Sequence, residues 1–199
     1  MKFSPLKIFI LLTLLVVLVY SNIFSAPFLF DDTGNIEGNP QIRDLANFLD
    51  PAGTRYVGFL SFALNYAAGG LNVFGYHLVN VLIHVANGFL VYVLVLLLLR
   101  LPAGSLEGSS INHQPSTIDH QRSSFPIALF TALLFLVHPV QTQAVTYIVQ
   151  RFASLVTLFY LVAVVCYVKW RLSQTIGPGG PLGLIYFFAS LLSILLAMK

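Results

Sequence analysis

The sequence predicts an all-α, polytopic transmembrane protein with about five spans. Hydrophobic residues make up 57% of the 199 residues, charged residues make up 9%, and the mean hydropathy is +0.85. Soluble globular domains contain about 45–50% apolar and about 25% charged residues. The apolar residues also fall in long runs separated by polar stretches. Lipid is therefore the expected solvent for most of the chain.

Composition also argues against several kinds of site and partner. Cys166 is the single cysteine and lies inside an apolar run, so neither a disulfide framework nor a multi-cysteine metal site is expected. The formal charge of +3 comes from scattered basic residues without a basic block. Nucleic acid is therefore not expected as a partner, because its recognition needs a basic patch.

The first span is expected at 6–24. Lys2 and Lys7 flank the start of an apolar run that continues to Phe24, which is typical of a membrane helix with a cytoplasmic N-terminus. A cleaved secretory signal is the alternative, since small residues follow Phe24. A retained helix is favoured, because Pro27 directly follows the would-be cleavage point and further apolar segments come later.

The stretch 27–75 is expected to form a structured outer loop. Asn39-Pro40 is a typical helix start, with a capping side chain followed by proline, and the apolar residues after it indicate a short helix in the membrane interface. A second apolar segment at 57–68 is too short to span comfortably. Five of the seven acids lie in this stretch: Asp31, Asp32, Glu37, Asp44 and Asp50.

Four further spans are expected at 76–99, 125–138, 152–168 and 182–198, with a cytoplasmic loop at 100–124. Cytoplasmic segments of membrane proteins carry an excess of Lys and Arg. With the N-terminus inside, six basic residues are cytoplasmic and three are outside, which supports this orientation. The outer residues are Arg43, Arg55 and Arg151, and the cytoplasmic ones are Lys2, Lys7, Arg100, Arg122, Lys169 and Arg171.

A polar stripe interrupts the second expected span. His77, Asn80, His84 and Asn87 follow one another at steps of three, four and three residues, which places them on one face of a helix. Such a face cannot lie against lipid and must face protein or a water-filled cavity. The stripe indicates either hydrogen bonds between helices or the wall of a polar site, and the sequence leaves both open.

The acids favour chemistry at the membrane surface over conduction through it. All seven lie outside the expected spans, whereas ion-coupled transporters carry ionisable residues within their spans. Transfer from a lipid-linked sugar needs a carboxylate to take a hydroxyl proton and a cation to hold the departing phosphate. Asp31 or Asp32 suits the first role, and Arg151, with its fork of donors, suits the second.

Each candidate also has a plainer interpretation. The sequence Asp31-Asp32-Thr33-Gly34 is typical of an ordinary turn. The acidic pair could also bind a divalent cation with Asn35 and Glu37, although this spacing does not match an EF-hand. Arg151 could be a topological anchor at the mouth of a span, and His138-Pro139 could be only a helix stop.

Several stretches together resemble the N-terminal half of the membrane region of GT-C glycosyltransferases. More narrowly, they are similar to the tetratricopeptide-repeat-containing, polyprenyl-phosphate-mannose-dependent O-mannosyltransferases. The resemblance runs from about residue 6 to residue 199. The stretches that carry it are Phe30-Asp31-Asp32, Asn35-Ile36, Asn39-Pro40, 61–66, 77–87 and 138–151, the last of which reads HPVQTQAVTYIVQR.

The resemblance implies an inverting transfer of a sugar, expected to be mannose, from a polyprenyl-phosphate donor to a hydroxyl of a protein or glycan. It assigns the catalytic base to Asp31 or Asp32. No protein-held metal and no definite cofactor is expected, and a divalent cation is left open. The residues expected to bind substrate or the lipid phosphate are Arg151, His138, His77, Asn80, His84 and Arg55.

The chain departs from the family in two respects. Gln143 stands where many relatives carry glutamate, and about five spans are roughly half the number in the family, so a fragment of a longer enzyme is expected. The expected location is a prokaryotic cytoplasmic membrane with the active face outward. Two alternatives stay open: a transporter or channel subunit that uses the polar stripe, and a non-catalytic membrane protein.

Overall fold

The computed structural model describes residues 4–51, 53–99, 117–176 and 180–198. Every regular element in these ranges is helical, which confirms the all-α prediction. Short 3-10 and π turns lie within 21–48 and at Ile148–Gln150. The helices are α1 (Pro5–Val19), α2 (Tyr56–Gly69), α3 (Val73–Leu98), α4 (Thr117–Val137), α5 (Gln141–Thr146), α6 (Arg151–Ile176) and α7 (Pro181–Ala197).

Helix α3 lies at the centre of the bundle and contacts α1 and α4 on one side and α6 on another. The helix begins where the side chain of Asn72 accepts a hydrogen bond from the N–H of Phe74, as expected for a capping residue. Gly88 allows α4 to approach closely, because the side chain of Leu136 occupies the space that a Cβ would fill. The α1–α3–α4 core contains Ile8, Leu12, Val16, Val81, Val85, Ala128, Ala132 and Leu136.

Helices α6 and α7 pack against each other along much of their length. Gly183 of α7 faces the hydroxyl of Ser173, and Ser190 and Ser193 are buried although they are polar. Small residues at such positions let helix backbones approach, which is the usual packing between helices in lipid.

Two helical stretches are long and apolar enough to cross a membrane: Val73–Leu98 and Ile148–Gln174. Only 39% and 22% of their apolar windows are buried inside the protein, so most of this surface needs an apolar solvent. Three other apolar helices are shorter. The 15 residues of α1 extend about 22 Å at about 1.5 Å per residue, against a hydrocarbon core of about 30 Å. The five-span count therefore stays a prediction.

Two helices extend beyond the spans expected from hydropathy. Residues 117–124, assigned to the cytoplasmic loop, belong to α4, and Pro126 lies inside that helix. The remainder of that loop, residues 100–116, lies outside the described residues. Helix α6 likewise continues past 168 to Ile176. Polar residues mark where a helix leaves the bilayer and need not mark where it ends, so the span boundaries themselves stay predictions.

The loop at 27–75 is structured, as predicted, and its apolar segment forms α2. The short helix expected after Asn39-Pro40 is replaced by two 3-10 turns, Pro40–Arg43 and Leu45–Phe48. Asp44 separates them, because its backbone is extended and its side chain accepts a hydrogen bond from the N–H of Ala46. Aspartate competes in this way with a continuous helix.

Candidate functional site

The candidate site lies at the end of the bundle where two turns meet. The carboxylate of Asp32 joins them: Oδ2 accepts from the N–H of Leu29 at 3.1 Å within its own turn, and Oδ1 accepts from the N–H of Val149 at 2.7 Å in the turn before α6. Only 1% of Asp32 is exposed. Burial raises the pKa of this carboxyl, although the backbone N–H donors lower it. Asp32 therefore holds the two turns together.

Asp31 has a different environment although it is the next residue. Its side chain is exposed, and its backbone N–H donates to the hydroxyl of Tyr147 at 2.9 Å. Phe30, just before it, has a φ of 47°, a left-handed conformation that bulky residues rarely adopt. The ring of Phe30 meets that of Tyr147 edge-on, with centroids 6.4 Å apart. The exposed carboxylate is thus presented by a strained and tethered turn.

Arg151 opens α6 directly behind these turns and is fully buried. Its Nε donates to Oδ1 of Asn80 at 2.7 Å, and its Nη1 donates to Oδ1 of Asn65 at 2.6 Å. Its Nη2 donates to the carbonyl of Tyr76 at 2.8 Å, and Nη1 also lies near the oxygens of Ser61. These acceptors belong to α2 and α3, so Arg151 ties three helices together.

The guanidinium of Arg151 also lies over two aromatic rings, 4.5 Å from the centroid of Phe62 and 5.7 Å from that of Tyr76. A cation so placed is stabilised by the ring faces. All the hydrogen-bond acceptors named for Arg151 are uncharged oxygens of the protein. In this geometry Arg151 acts as an internal anchor. The expected binding of a lipid phosphate by Arg151 finds no support.

The polar stripe of α3 faces protein, as one of its two interpretations predicted. Each member bonds to a different segment. Nε2 of His77 lies 3.0 Å from the carbonyl of Ala26, Nδ2 of Asn80 donates to the carbonyl of Ile148, Nε2 of His84 lies 3.0 Å from the carbonyl of Leu136, and Nδ2 of Asn87 donates to the carbonyl of Ser154. The stripe therefore connects α3 to the turn after α1, to α4, to the turn before α6 and to α6.

Two polar atoms of this stripe have no hydrogen-bond partner, namely Nδ1 of His77 and Oδ1 of Asn87. Buried polar atoms of this kind are uncommon in folded proteins. His77 lies close enough to Asp32 for their charges to interact, so the upper end of the stripe adjoins the two turns. His84 and Asn87 lie further along α3, away from the candidate site.

Arg55 lines an apolar cavity at the same end of the bundle. Its backbone is left-handed, with a φ of 62°, and its guanidinium stacks 5.2 Å from the ring centroid of Phe152, the residue after Arg151. The cavity has a volume of about 170 Å³. It lies between the start of α2, the first turns of α6 and the end of α7, and its lining includes Val57, Phe152, Leu155, Phe159 and Leu196.

His138 is exposed at the end of α4, where its Nδ1 accepts a hydrogen bond from the N–H of Val140. This contact closes the turn before α5, which agrees with the helix-stop interpretation. The cation alternative gains no ligand set: the amide of Asn35 donates to the carbonyl of Asp31, and the described ranges contain no cluster of three His, Cys, Asp or Glu side chains suited to a metal ion.

The structure thus brings together Asp31, Asp32, Arg151 and Asn80. Arg55 lies nearby, because it stacks on the ring of Phe152, the residue after Arg151. Sequence reasoning missed Tyr147, which contacts Asp31 from 116 residues further along the chain. The sequence shows only that an aromatic residue ends the polar stretch before Arg151. An analysis of polarity does not identify such a residue as part of a site.

The chain is similar in sequence to animal proteins named protein O-mannosyl-transferase. It is 36% identical over 169 residues to Tmtc3 of Drosophila melanogaster, covering 77% of this chain and 18% of that protein. It is 32% identical over 175 residues to Tmtc1 of the same fly, covering 80% of this chain and 18% of that protein. Human TMTC2 is 30% identical over 167 residues, covering 76% of this chain and 17% of that protein.

These similarities confirm the predicted resemblance: the chain is an O-mannosyltransferase-related protein. It spans about a fifth of the length of the curated relatives it matches. The named relatives are from animals, and they give no support to the expected prokaryotic membrane. No protein-family model matches the chain, and no solved structure matches it.

Proposed function

We propose that this relative of the protein O-mannosyl-transferases carries the acceptor-activating part of a membrane glycosyltransferase, with Asp31 as the catalytic base. One observation supports this above the others: of the two adjacent acids, Asp32 is buried and fully engaged by backbone N–H groups, whereas Asp31 is exposed on a strained, tethered turn. Strained backbone of this kind is concentrated at functional sites.

The chemistry is an inverting sugar transfer. The Asp31 carboxylate takes the proton of an acceptor hydroxyl while that oxygen attacks C1 of the sugar from the face opposite the lipid phosphate. The bond between C1 and the phosphate oxygen breaks, and the phosphate leaves with the electron pair. No acid catalyst is required because a phosphate is already a good leaving group. The acceptor is a hydroxyl of a protein or glycan, and mannose is the proposed sugar.

The proposed donor site is the apolar cavity beside Arg55. An apolar space lined by α6 and α7 suits an isoprenoid chain, and a guanidinium in its lining suits the attached phosphate. Arg55 is exposed, whereas the donors of Arg151 are directed at protein oxygens. The phosphate-binding role is therefore proposed for Arg55, with Arg151 fixing the start of α6 beside it.

The proposed membrane arrangement keeps five spans, with the N-terminus cytoplasmic and the loop at 27–75 on the opposite face. The shorter apolar helices α1 and α7 are then two of the five spans. This arrangement puts Asp31, Arg55 and Arg151 on one face, which the reaction requires. The close approach of the two turns around Asp32 supports it.

The test uses the chain in lipid vesicles with radiolabelled dolichyl-phosphate mannose and a peptide rich in serine and threonine. We expect Asp31→Asn to lower mannose transfer by about 10²–10⁴-fold, the usual contribution of a general base. The matched control is Asp50→Asn, an exposed acid of the same loop, which should leave transfer unchanged. Undiminished transfer in both Asp31→Asn and Asp32→Asn would exclude a base at this pair.

Donor binding is tested separately with a photoreactive polyprenyl-phosphate probe. Arg55→Gln should lower crosslinking severalfold, whereas Arg171→Gln, an exposed arginine on α6 distant in sequence from the cavity lining, should not. Equal crosslinking in the wild-type chain and Arg55→Gln would show that the phosphate binds elsewhere.

A further inference from the structure

We propose that Tyr147 is a positioning residue that holds the Asp31 carboxylate in place through its hydroxyl. This inference rests on the proposed role of Asp31 as the base and adds a residue from the distant part of the chain to that site. Tyr147 does not touch the reacting atoms in this account. It acts on the reaction through Asp31.

The geometry of the hydroxyl carries the proposal. The backbone N–H of Asp31 donates to the oxygen of Tyr147 at 2.9 Å. Because the N–H supplies the proton of that bond, the phenol keeps its own proton for a second acceptor. The Asp31 carboxylate belongs to the residue whose backbone N–H makes this bond, and it is near enough to influence the phenol electrostatically. One hydroxyl therefore fixes the backbone that carries the acid.

The strain at Phe30 gives a second, independent observation. A left-handed phenylalanine persists only where its surroundings enforce the conformation, and 85% of this side chain is exposed. Within the described ranges its ring contact is the edge-on approach to Tyr147. Tyr147 thus contacts the turn at two successive residues, Phe30 and Asp31, and keeps it in the conformation that presents the carboxylate.

Tyr147 is itself well fixed. Its backbone leaves the helical conformation after α5, with φ −88° and ψ 112°, while its N–H still donates to the carbonyl of Gln143 at 3.1 Å. The next residue, Ile148, is fully buried, and Val149 is bonded to Asp32. A side chain placed between these contacts can serve as a rigid support. Partial burial and the neighbouring Asp31 and Asp32 carboxylates raise the pKa of the phenol, while the hydrogen bond from the Asp31 N–H lowers it.

The test compares Tyr147→Phe with Tyr160→Phe, an exposed tyrosine of α6 that serves as the matched control. Tyr147→Phe keeps the ring against Phe30 and removes only the hydroxyl. We expect kcat for mannose transfer to fall about tenfold, the size of one lost hydrogen bond that positions the acid, with the donor KM within about twofold of wild type. Tyr160→Phe should match the wild-type chain in both constants.

A second readout does not depend on activity. Hydrogen exchange at the Asp31 amide should be about tenfold faster in Tyr147→Phe, because that N–H loses its acceptor, while exchange at the Val149 amide should be unchanged. An unchanged Asp31 exchange rate would overturn the proposal, as would an unchanged kcat in a chain whose Asp31→Asn variant is inactive. If Asp31→Asn keeps its activity, the proposed function fails. The exchange rate alone then decides whether the Tyr147 hydroxyl holds the Asp31 backbone.

Discussion

Two regions at the same end of the bundle each combine a charged residue with aromatic rings, but one is exposed at the surface and the other surrounds a buried cation. The Asp31 rim is formed by Phe30, Asp31 and Tyr147; Phe30 and Asp31 are exposed, and the backbone of Phe30 is strained. The Arg151 hub is formed by Arg151 and its acceptors Ser61, Asn65, Tyr76 and Asn80; its cation is buried and makes short hydrogen bonds to the last three acceptors and a longer one to Ser61. Asp32 lies between them and belongs to the buried side.

The difference shows that a charged residue in a membrane protein is not functional merely because it is charged. Arg151 was the stronger candidate from its side chain, yet its donors are directed at protein oxygens. Burying an ionised group is costly unless it is well paired, so the hub is expected to determine stability. The rim makes few contacts and is expected to determine activity.

The largest expected effect is at the hub. Arg151→Ala should lower the free energy of unfolding by about 3–5 kcal/mol, because it removes a buried, hydrogen-bonded cation and leaves its acceptors unpaired. Arg151→Lys should recover little of this, since one ammonium cannot reproduce the fork. The measurement is denaturant unfolding in mixed micelles, with exposed Arg55→Ala as the control. Equal stability of the two alanine variants would remove the distinction between hub and rim.

A smaller effect is expected at Gly58, where a Cβ would overlap the ring of Phe152. Gly58→Ala should lower stability by about 1–3 kcal/mol through overpacking, and it should weaken lipid-phosphate crosslinking because Arg55 stacks on the same ring. Gly34→Ala is the control, since open space surrounds that position. A Gly58→Ala chain that is as stable as Gly34→Ala would mean that Phe152 moves aside freely.

The smallest expected effect is a pH dependence from Asp32. Its pKa is raised above 3.8 in the folded chain, so the folded state binds this proton more tightly than the unfolded state does. The stability contribution of Asp32 should therefore be greatest below pH 3.8 and fall as the pH rises through the raised pKa. Comparing unfolding free energies across this range should show a steeper fall in the wild-type chain than in Asp32→Asn. Parallel curves would contradict this.

Much of the fold could be predicted from the sequence because lipid imposes long apolar runs. The bounds of α2 were within a residue or two of the prediction, and the stripe from His77 to Asn87 turned inward as its spacing required. The start of α4 lies before the expected span, because hydropathy does not report where a helix begins. Asp44 divided a predicted helix through a side-chain bond that periodicity does not show.

The candidate site was predicted only in part. The acidic pair was recognised, but the sequence could not separate Asp31 from Asp32, because their difference arises from the N–H of Val149 more than a hundred residues away. The role of Arg151 was also undetermined until its acceptors were located on α2 and α3. Such long-range contacts depend on tertiary packing and leave no local pattern.

The left-handed backbone of Phe30 and Arg55 has a consequence for protein engineering. Among the described residues these are the two non-glycine positions with positive φ, and glycine at either one would relieve roughly 1–2 kcal/mol of steric strain. A library screened only for heat resistance should therefore accumulate glycine at both positions. Such variants would be more stable to heat. They would lose the exposed ring of Phe30 and the Arg55 guanidinium beside the apolar cavity.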